Sequence, residues 1–215
     1  MNILYQDDQV LVVDKPPGLS VLPDGWEVNN SFLVKELEKE FKKVWVIHRL
    51  DKVTSGVIIF ALTADAHRNL SRQFEEHQIE KIYHAIVIGD PEWNEKITKF
   101  PLRADVGHSH RTVVDSRNGK PSETCFKVME RFKDFALLEA KPKTGRTHQV
   151  RVHAYALNHP LLGDVLYSAP KTGLITRPAL HSFSLTLVHP TKNEQMILSS
   201  PYPSDFSEAL KIISS

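Results

Sequence analysis

Apolar and polar positions alternate along this chain in two rhythms, and the points where the rhythm changes divide it into elements. Residues 3–5 and 10–14 read as two short strands joined by the polar turn Gln6-Asp7-Asp8-Gln9, and Lys15-Pro16-Pro17-Gly18 ends the second. Leu33, Val34, Leu37 and Phe41 recur at helical spacing behind Ser31, which stands where a helix cap is expected. A short apolar run at 45–47 then leads into a polar loop, 48–56, and out into a buried strand at 57–61. A loop held between two apolar runs is a favourable place for chemistry, because the flanking strands fix its ends.

Thr63 is placed to cap a second helix reaching about residue 77, with Leu70 and Phe74 on its inner face, and a strand follows at 82–88. Residues 89–119 show little periodicity and read as loops with at most short strands. Segments 125–131 and 135–140, on either side of Lys133-Asp134, form a predicted hairpin. A helix over 147–157 is closed by Asn158-His159-Pro160. The chain ends with a strand carrying Phe183, Leu185 and Leu187 on one face, another strand at 196–198, and a helix expected to be capped by Ser204. Strands outnumber helices and sequence neighbours are hairpin-like. The expected class is therefore α+β, a mixed but mainly antiparallel sheet with peripheral helices and a central catalytic cleft. A doubly wound nucleotide-binding fold is excluded: no glycine-rich loop follows the first strand, and prolines 16 and 17 lack the N–H groups such a loop presents.

Composition narrows this further. With 215 residues, 41% hydrophobic and 25% charged, the chain fits one domain over 1–215 with room for two lobes. Asp7 and Asp8 interrupt the apolar N-terminus, so it does not read as a secretory signal, and no apolar run approaches the roughly 18 residues of a membrane helix. A single cysteine, Cys125, fits a reducing cytoplasm and a packing role in its alternating strand. The formal net charge of +1 does not by itself call for a nucleic-acid partner. Two segments are nonetheless basic: Arg103, His108, His110, Arg111, Arg117 and Lys120 in the first, and Lys141, Lys143, Arg146, His148, Arg151 and His153 in the second.

The loop His48-Arg49-Leu50-Asp51-Lys52-Val53-Thr54-Ser55-Gly56 gathers a carboxylate, cations, two hydroxyls and a glycine in nine positions. Read alone, it is also compatible with an ordinary turn. A kinase catalytic loop is excluded, since Asp51 comes one place late and neither a glycine-rich loop nor Asp-Phe-Gly is present. The nine residues resemble the HRLDxxTSG signature of the RluA-type pseudouridine synthases. Further matches follow in that family's order. Lys81-Ile82-Tyr83-His84-Ala85-Ile86-Val87 is similar to KxYxAxV, and the stretch from Lys143 to His153 to KTGRxHQxRxH. His159-Pro160-Leu161-Leu162-Gly163-Asp164, Leu180-His181 and the opening Val12-Val13-Asp14-Lys15-Pro16-Pro17-Gly18 also fit, so the resemblance spans nearly the whole chain.

The resemblance implies isomerisation of specific uridines to pseudouridine in structured RNA, tRNA or large-subunit ribosomal RNA or both, without metal or other cofactor. It implies that Asp51 is the catalytic carboxylate, that Arg151 is the cation beside it, and that Tyr83 stacks on the target base. It further implies that Arg49 holds open the gap left by the extracted nucleotide and that Leu180 forms an apolar wall. Arg146, His48 and His148 are expected among the substrate-binding residues. His48, His148 and His153 read as hydrogen-bonding and phosphate-facing groups rather than zinc ligands, because their spacing completes no tetrahedral set. Many relatives carry a small N-terminal RNA-binding domain; here residue 3 already opens the core, so none is expected. A cytoplasmic monomer is expected. The competing reading is a non-catalytic RNA-binding protein that retains the fold, against which the joint presence of Asp51, Tyr83 and Arg151 speaks.

Overall fold

The first hairpin forms as its pattern predicts. Strand β1 (Asn2–Gln6) pairs antiparallel with β2 (Val10–Lys15), and Asp7 Oδ1 closes the turn by accepting the N–H groups of Gln9 at 2.9 Å and Val10 at 3.0 Å. This computed structural model describes residues 2–23, 31–107 and 111–215. Helix α1 (Leu33–Leu37) is shorter than expected: Phe32, not Ser31, occupies its N-cap, and the Ser31 hydroxyl donates to the Glu36 carboxylate instead. Leu33, Val34 and Leu37 are buried while residues 38–40 are exposed. A short helix lasts only as far as its packed face, and here that face ends at Leu37.

Strand β3 (Trp45–Val46) and strand β2 both pair antiparallel with β4 (Ser55–Ala61), all seven residues of which are buried. Its apolar run from Val57 to Ala61 reflects burial on both faces, since successive residues point opposite ways and all five are wholly buried. Thr63 caps α2 (Ala64–Glu75) as expected, its side chain accepting from the Ala66 N–H at 3.2 Å. Ala66, Leu70 and Phe74 then pack on Val10, Val12, Val57 and Ile59.

Strand β5 (Glu80–Ile88) precedes the weakly patterned segment, which holds β6 (Glu95–Thr98) and a separate two-stranded hairpin, β7 (Leu102–Val106) with β8 (Arg111–Val114). His108 and His110 lie outside the described residues. The hairpin β9 (Thr124–Arg131) and β10 (Phe135–Pro142) forms where predicted. Cys125 is only half-buried, because the inner face of β9 belongs to its neighbour Phe126. Helix α3 (Gln149–Ala156) starts two residues later than expected, since His148 takes a left-handed φ of 54° that no helical residue adopts. A 3-10 turn, Val165–Tyr167, is followed by β11 (Leu180–Val188), β12 (Gln195–Ser199) and α4 (Ser204–Ile213). Pro203 sits at the N-cap of α4; Ser204 is its first helical residue and makes no side-chain cap.

The chain divides into two compact units. Residues 1–81 and 182–201 form the first, in which β1, β2, β4 and β11 lie side by side and β12 pairs antiparallel with β11. Residues 82–181 and 202–215 form the second, in which β5, β10, β9 and β6 pair antiparallel in that order. Strand alternation gives these four strands two apolar faces. Ala85, Phe126, Leu138 and Ala140 face Val150 and Ala154 of α3, while Ile86 and Leu137 face Phe206 and Ala209 of α4. The class is α+β, an antiparallel-dominated sheet with few helices on its faces. Among the described residues no helix is long and apolar enough to cross a membrane.

Buried imidazoles are built into these layers. His84 is buried with Nδ1 2.6 Å from the Tyr202 hydroxyl, and desolvation, aided by His181, lowers it to about 4. His153 is fully buried between Thr124 and Ser122 and is likewise lowered by desolvation. A histidine lowered in the fold stays neutral there while the unfolded chain takes up a proton, so its contribution is present above about pH 6.5 and is lost as pH falls below it. Urea unfolding between pH 7.5 and 4.5 is expected to show stability declining below about pH 6.5, by at most about 1.4 kcal/mol per pH unit for each such histidine. His84→Gln should flatten that decline.

Candidate active site

The loop from His48 to Gly56 is held at its start by a side chain that continues the β-ladder. Pairing of β3 with β4 stops at Val46 and Phe60, and the Ile59 N–H donates instead to His48 Nε2 at 3.2 Å. The ring stacks on Phe74 with centroids 4.6 Å apart. A nitrogen that accepts a backbone N–H carries no proton, and burial, aided by the Lys81 ammonium, lowers His48 to about 3. His48 is therefore an uncharged anchor, which does not suit the phosphate-facing role expected of it. Beyond it the side chains alternate: Arg49 is exposed, Leu50 buried and Asp51 half-buried. The Asp51 carbonyl accepts the Thr54 N–H at 3.0 Å, so the carboxylate stands at the first position of a closed turn. Gly56 ends the loop with φ 111°, and a Cβ there would lie 2.1 Å from the Ser182 carbonyl oxygen. Only glycine lets the backbones approach so closely.

A second fastening was not foreseen. The side chain of Lys15 is completely buried, and its ammonium donates to the carbonyls of Pro16 at 2.8 Å, Leu19 at 2.9 Å and Lys52 at 3.2 Å. Gly18, at φ 85°, adds its own N–H to the Lys52 carbonyl at 2.8 Å. The Lys15-Pro16-Pro17-Gly18 turn is thus strapped to the residue next to Asp51. In sequence, Lys15 stood only as the start of the turn that ends the second strand and as a position of the family's opening motif.

In the second unit, half-buried Tyr83 packs against the cluster that contains Leu180, Ala85, Val150 and Ala154, so the structure brings Tyr83 and Leu180 to one apolar face. The turn before α3 is organised by Gln149. Its Oε1 accepts the Thr144 hydroxyl at 2.7 Å and the Arg146 N–H at 3.0 Å, and its Nε2 donates to the Glu123 carbonyl and Thr124 Oγ1, each at 2.9 Å. Arg146 remains exposed while its Nε donates to the Pro121 carbonyl at 3.1 Å. His148 lies with Nδ1 2.9 Å from the Tyr167 hydroxyl.

Arg151 is buried, and its Nε and Nη2 fork onto Asp164 at 2.6 and 2.8 Å. Its guanidinium also lies over the Tyr167 ring, 5.0 Å from the centroid. His148 and Arg151, three apart, do share a face, and Tyr167 is what they meet there. Gln149, Asp164 and Tyr167 were not singled out for a role. Asp164 and Gln149 stood inside quoted motifs; for Tyr167, a tyrosine in an apolar stretch, no sequence signal was available. His153, buried with Nδ1 2.9 Å from Thr124 Oγ1 and Nε2 3.0 Å from Ser122 Oγ, hydrogen-bonds as expected but faces no solvent from which phosphate could arrive.

The basic segments are largely paired. Arg103 meets Asp115 at 3.0 Å, Lys141 meets Glu139 at 3.6 Å and Lys143 meets Glu123 at 2.7 Å, while Arg111, Arg117 and Lys120 are exposed. Among the described residues no group of three or more His, Cys, Asp or Glu gathers as a metal site would need.

The family model described as RNA pseudouridylate synthase matches residues 9–156. The chain is 40% identical over 201 residues to the dual-specificity RNA pseudouridine synthase RluA of Escherichia coli (strain K12), covering 93% of this chain and 92% of that one. It is 34% identical to the ribosomal large subunit pseudouridine synthase D of Nitrosomonas europaea, covering 99% of this chain and 65% of that one. Among solved structures it is similar to human RNA pseudouridylate synthase domain containing 4, with TM-score 0.80 and 28% identity, covering 99% of this chain and 93% of that one.

Two stability measurements check the fastenings. Lys15→Met removes the ammonium from the Pro16 and Leu19 carbonyls and leaves the Lys52 carbonyl with the Gly18 N–H, and is expected to cost about 2 kcal/mol or more; hydrogen exchange at the Gly18 and Thr54 amides should accelerate while the β9–β10 hairpin stays protected. Arg151→Ala strands the buried Asp164 carboxylate and should cost about 3–5 kcal/mol in urea unfolding. Adding Asp164→Asn should restore part of that loss.

Proposed function

The chain belongs to the RNA pseudouridylate synthase family and is an RNA pseudouridine synthase, and we propose that Asp51 is the carboxylate that carries its isomerisation. The observation that supports this most is the loop itself. A half-buried carboxylate stands in a turn whose flanks are fixed by the His48 ring, the Leu50 side chain and the Lys15 strap, so a reacting group can be held in one orientation. In this reading ionised Asp51 acts on the ribose or the uracil ring. The glycosidic C–N bond breaks, the base turns within the site, and a C–C bond forms at uracil C5; the proton carried at C5 is lost and N1, freed from the ribose, takes up a proton. Atoms balance within the nucleotide, so no cofactor is called for.

The remaining roles follow the same reading. Tyr83, standing half-exposed on the apolar face it shares with Leu180, offers its ring to the base and its hydroxyl to a proton. Arg151 supplies the fixed cation that an ionised carboxylate requires. Exposed Arg49 holds the gap left by the extracted nucleotide, since the glycosidic bond is out of reach in a stacked helix. Arg146 and His148 meet the substrate from the turn before α3, and His48 serves by fixing the loop. The substrate is structured RNA, tRNA or large-subunit ribosomal RNA or both; the Nitrosomonas europaea relative is named for the ribosomal large subunit and the Escherichia coli relative for dual specificity toward RNA. The chain passes between its two units at residues 81/82, 181/182 and 201/202, which supports one catalytic domain over 1–215. The enzyme acts as a cytoplasmic monomer without metal.

Asp51→Asn keeps the size of the side chain and removes its charge. It is expected to abolish tritium release from RNA labelled at uracil C5 while RNA binding stays within a few-fold of the parent; full turnover, with deamidation excluded by mass spectrometry, would sink the assignment. Tyr83→Ala is expected to lose about 1–3 kcal/mol of base affinity. Tyr83→Phe should bind normally and turn over more slowly where the hydroxyl moves a proton, and parent-like turnover in both variants removes Tyr83 from the site.

A further inference from the structure

Tyr167 has no part in the reading above, yet its two ends serve different elements. The ring lies beneath the Arg151 guanidinium at 5.0 Å, and the same turn supplies Asp164, whose carboxylate forks that guanidinium and whose carbonyl accepts the Tyr167 N–H at 3.0 Å. One four-residue turn therefore holds Arg151 both from its edge and from its face. The hydroxyl reaches the other way. It accepts the Thr112 N–H of β8 at 3.0 Å and lies within hydrogen-bond distance, 2.9 Å, of His148 Nδ1, so one hydroxyl bridges β8 and the residue that precedes α3. Tyr167 is buried, and Leu102 of β7 and Val152 of α3 pack with it.

The hairpin β7–β8 is a sheet of its own, and it carries exposed Arg111 with exposed Arg117 and Lys120 close behind it in the chain. Phosphate contacts made there would pull on β8, and β8 is tied through one rigid aromatic side chain to the guanidinium that the reaction uses. An aromatic side chain has only two torsions, so a displacement at the hydroxyl tilts the ring rather than dissipating along a flexible stem. We propose that Tyr167 is a positioning residue that couples engagement of RNA by the β7–β8 hairpin to the orientation of Arg151. The proposal rests on the reading above, in which Arg151 serves the reaction. Coupling of this kind is reciprocal, so loosening the hydroxyl contact weakens the hairpin's grip as well.

The test is a double-mutant cycle on the full chain, using total RNA labelled with tritium at uracil C5 and taken from cells lacking the gene. Tyr167→Phe keeps the ring under Arg151 and removes the hydroxyl. Loss of its contacts to the Thr112 N–H and His148 Nδ1 is expected to raise KM about three- to ten-fold while kcat falls less than about two-fold. Tyr167→Leu removes the ring too and should lower kcat about ten-fold or more at saturating RNA. In an Arg111→Ala background the effect of Tyr167→Phe should shrink, because the hairpin no longer pulls. Additive effects overturn the coupling, including the case in which Arg111→Ala does nothing. So does a Tyr167→Phe variant that matches the parent, or one in which kcat, KM and melting temperature fall off together as a merely structural role would give. Failure of the underlying reading shows separately, as turnover by Asp51→Asn.

Discussion

A charge taken out of water has to be fully hydrogen-bonded, and the ammonium of Lys15 meets that demand with three backbone carbonyls drawn from two loops. The requirement works in both directions. Burial of the charge is tolerable only while Pro16, Leu19 and Lys52 stay where they are, and those residues therefore cannot drift while the charge is buried. The backbone beside Asp51 is held in place by this constraint. Apolar packing supplies rigidity by covering a residue, whereas a strap to the neighbouring carbonyl holds the loop through its backbone.

The second unit solves the same problem with a pair. Arg151 and Asp164 are both buried, and the fork between them fixes the plane of the guanidinium while the Tyr167 ring fixes its height. Gln149 spends all its hydrogen-bonding capacity on the turn that presents Arg146 and His148. In both units the β-layers provide the core and a few saturated polar side chains transmit its rigidity to the loops. The histidines belong to that scaffold. His48, His84 and His153 are all lowered by burial, so they act as neutral hydrogen-bonding groups and carry no charge to offer a phosphate.

Much was legible from the sequence because it depends on short-range order. The alternation of β1, β2, β4 and the β9–β10 hairpin, and the Thr63 cap of α2, are local patterns whose physical cause lies within a few residues. The loop from His48 to Gly56 was legible as a site because nine contiguous positions carried it. The sequence misjudged ends and surroundings: Ser31 and Ser204 looked like caps, α1 looked longer, and Cys125 looked buried. In each case the deciding factor was what another part of the chain placed alongside.

By itself, then, the sequence determined the class of fold and the family and marked the loop that carries Asp51, since these are written in periodicity and contiguous motifs. Only the tertiary structure decided that Lys15 is a buried strap rather than a solvated strand end, that Asp164 forks Arg151, and that Tyr167 meets both His148 and Thr112. Residues 15 and 52, or 112 and 167, are far apart in the chain. Their pairing is set by how the strands register and the helices pack, and no local pattern encodes which distant carbonyl or ring a buried polar group will find.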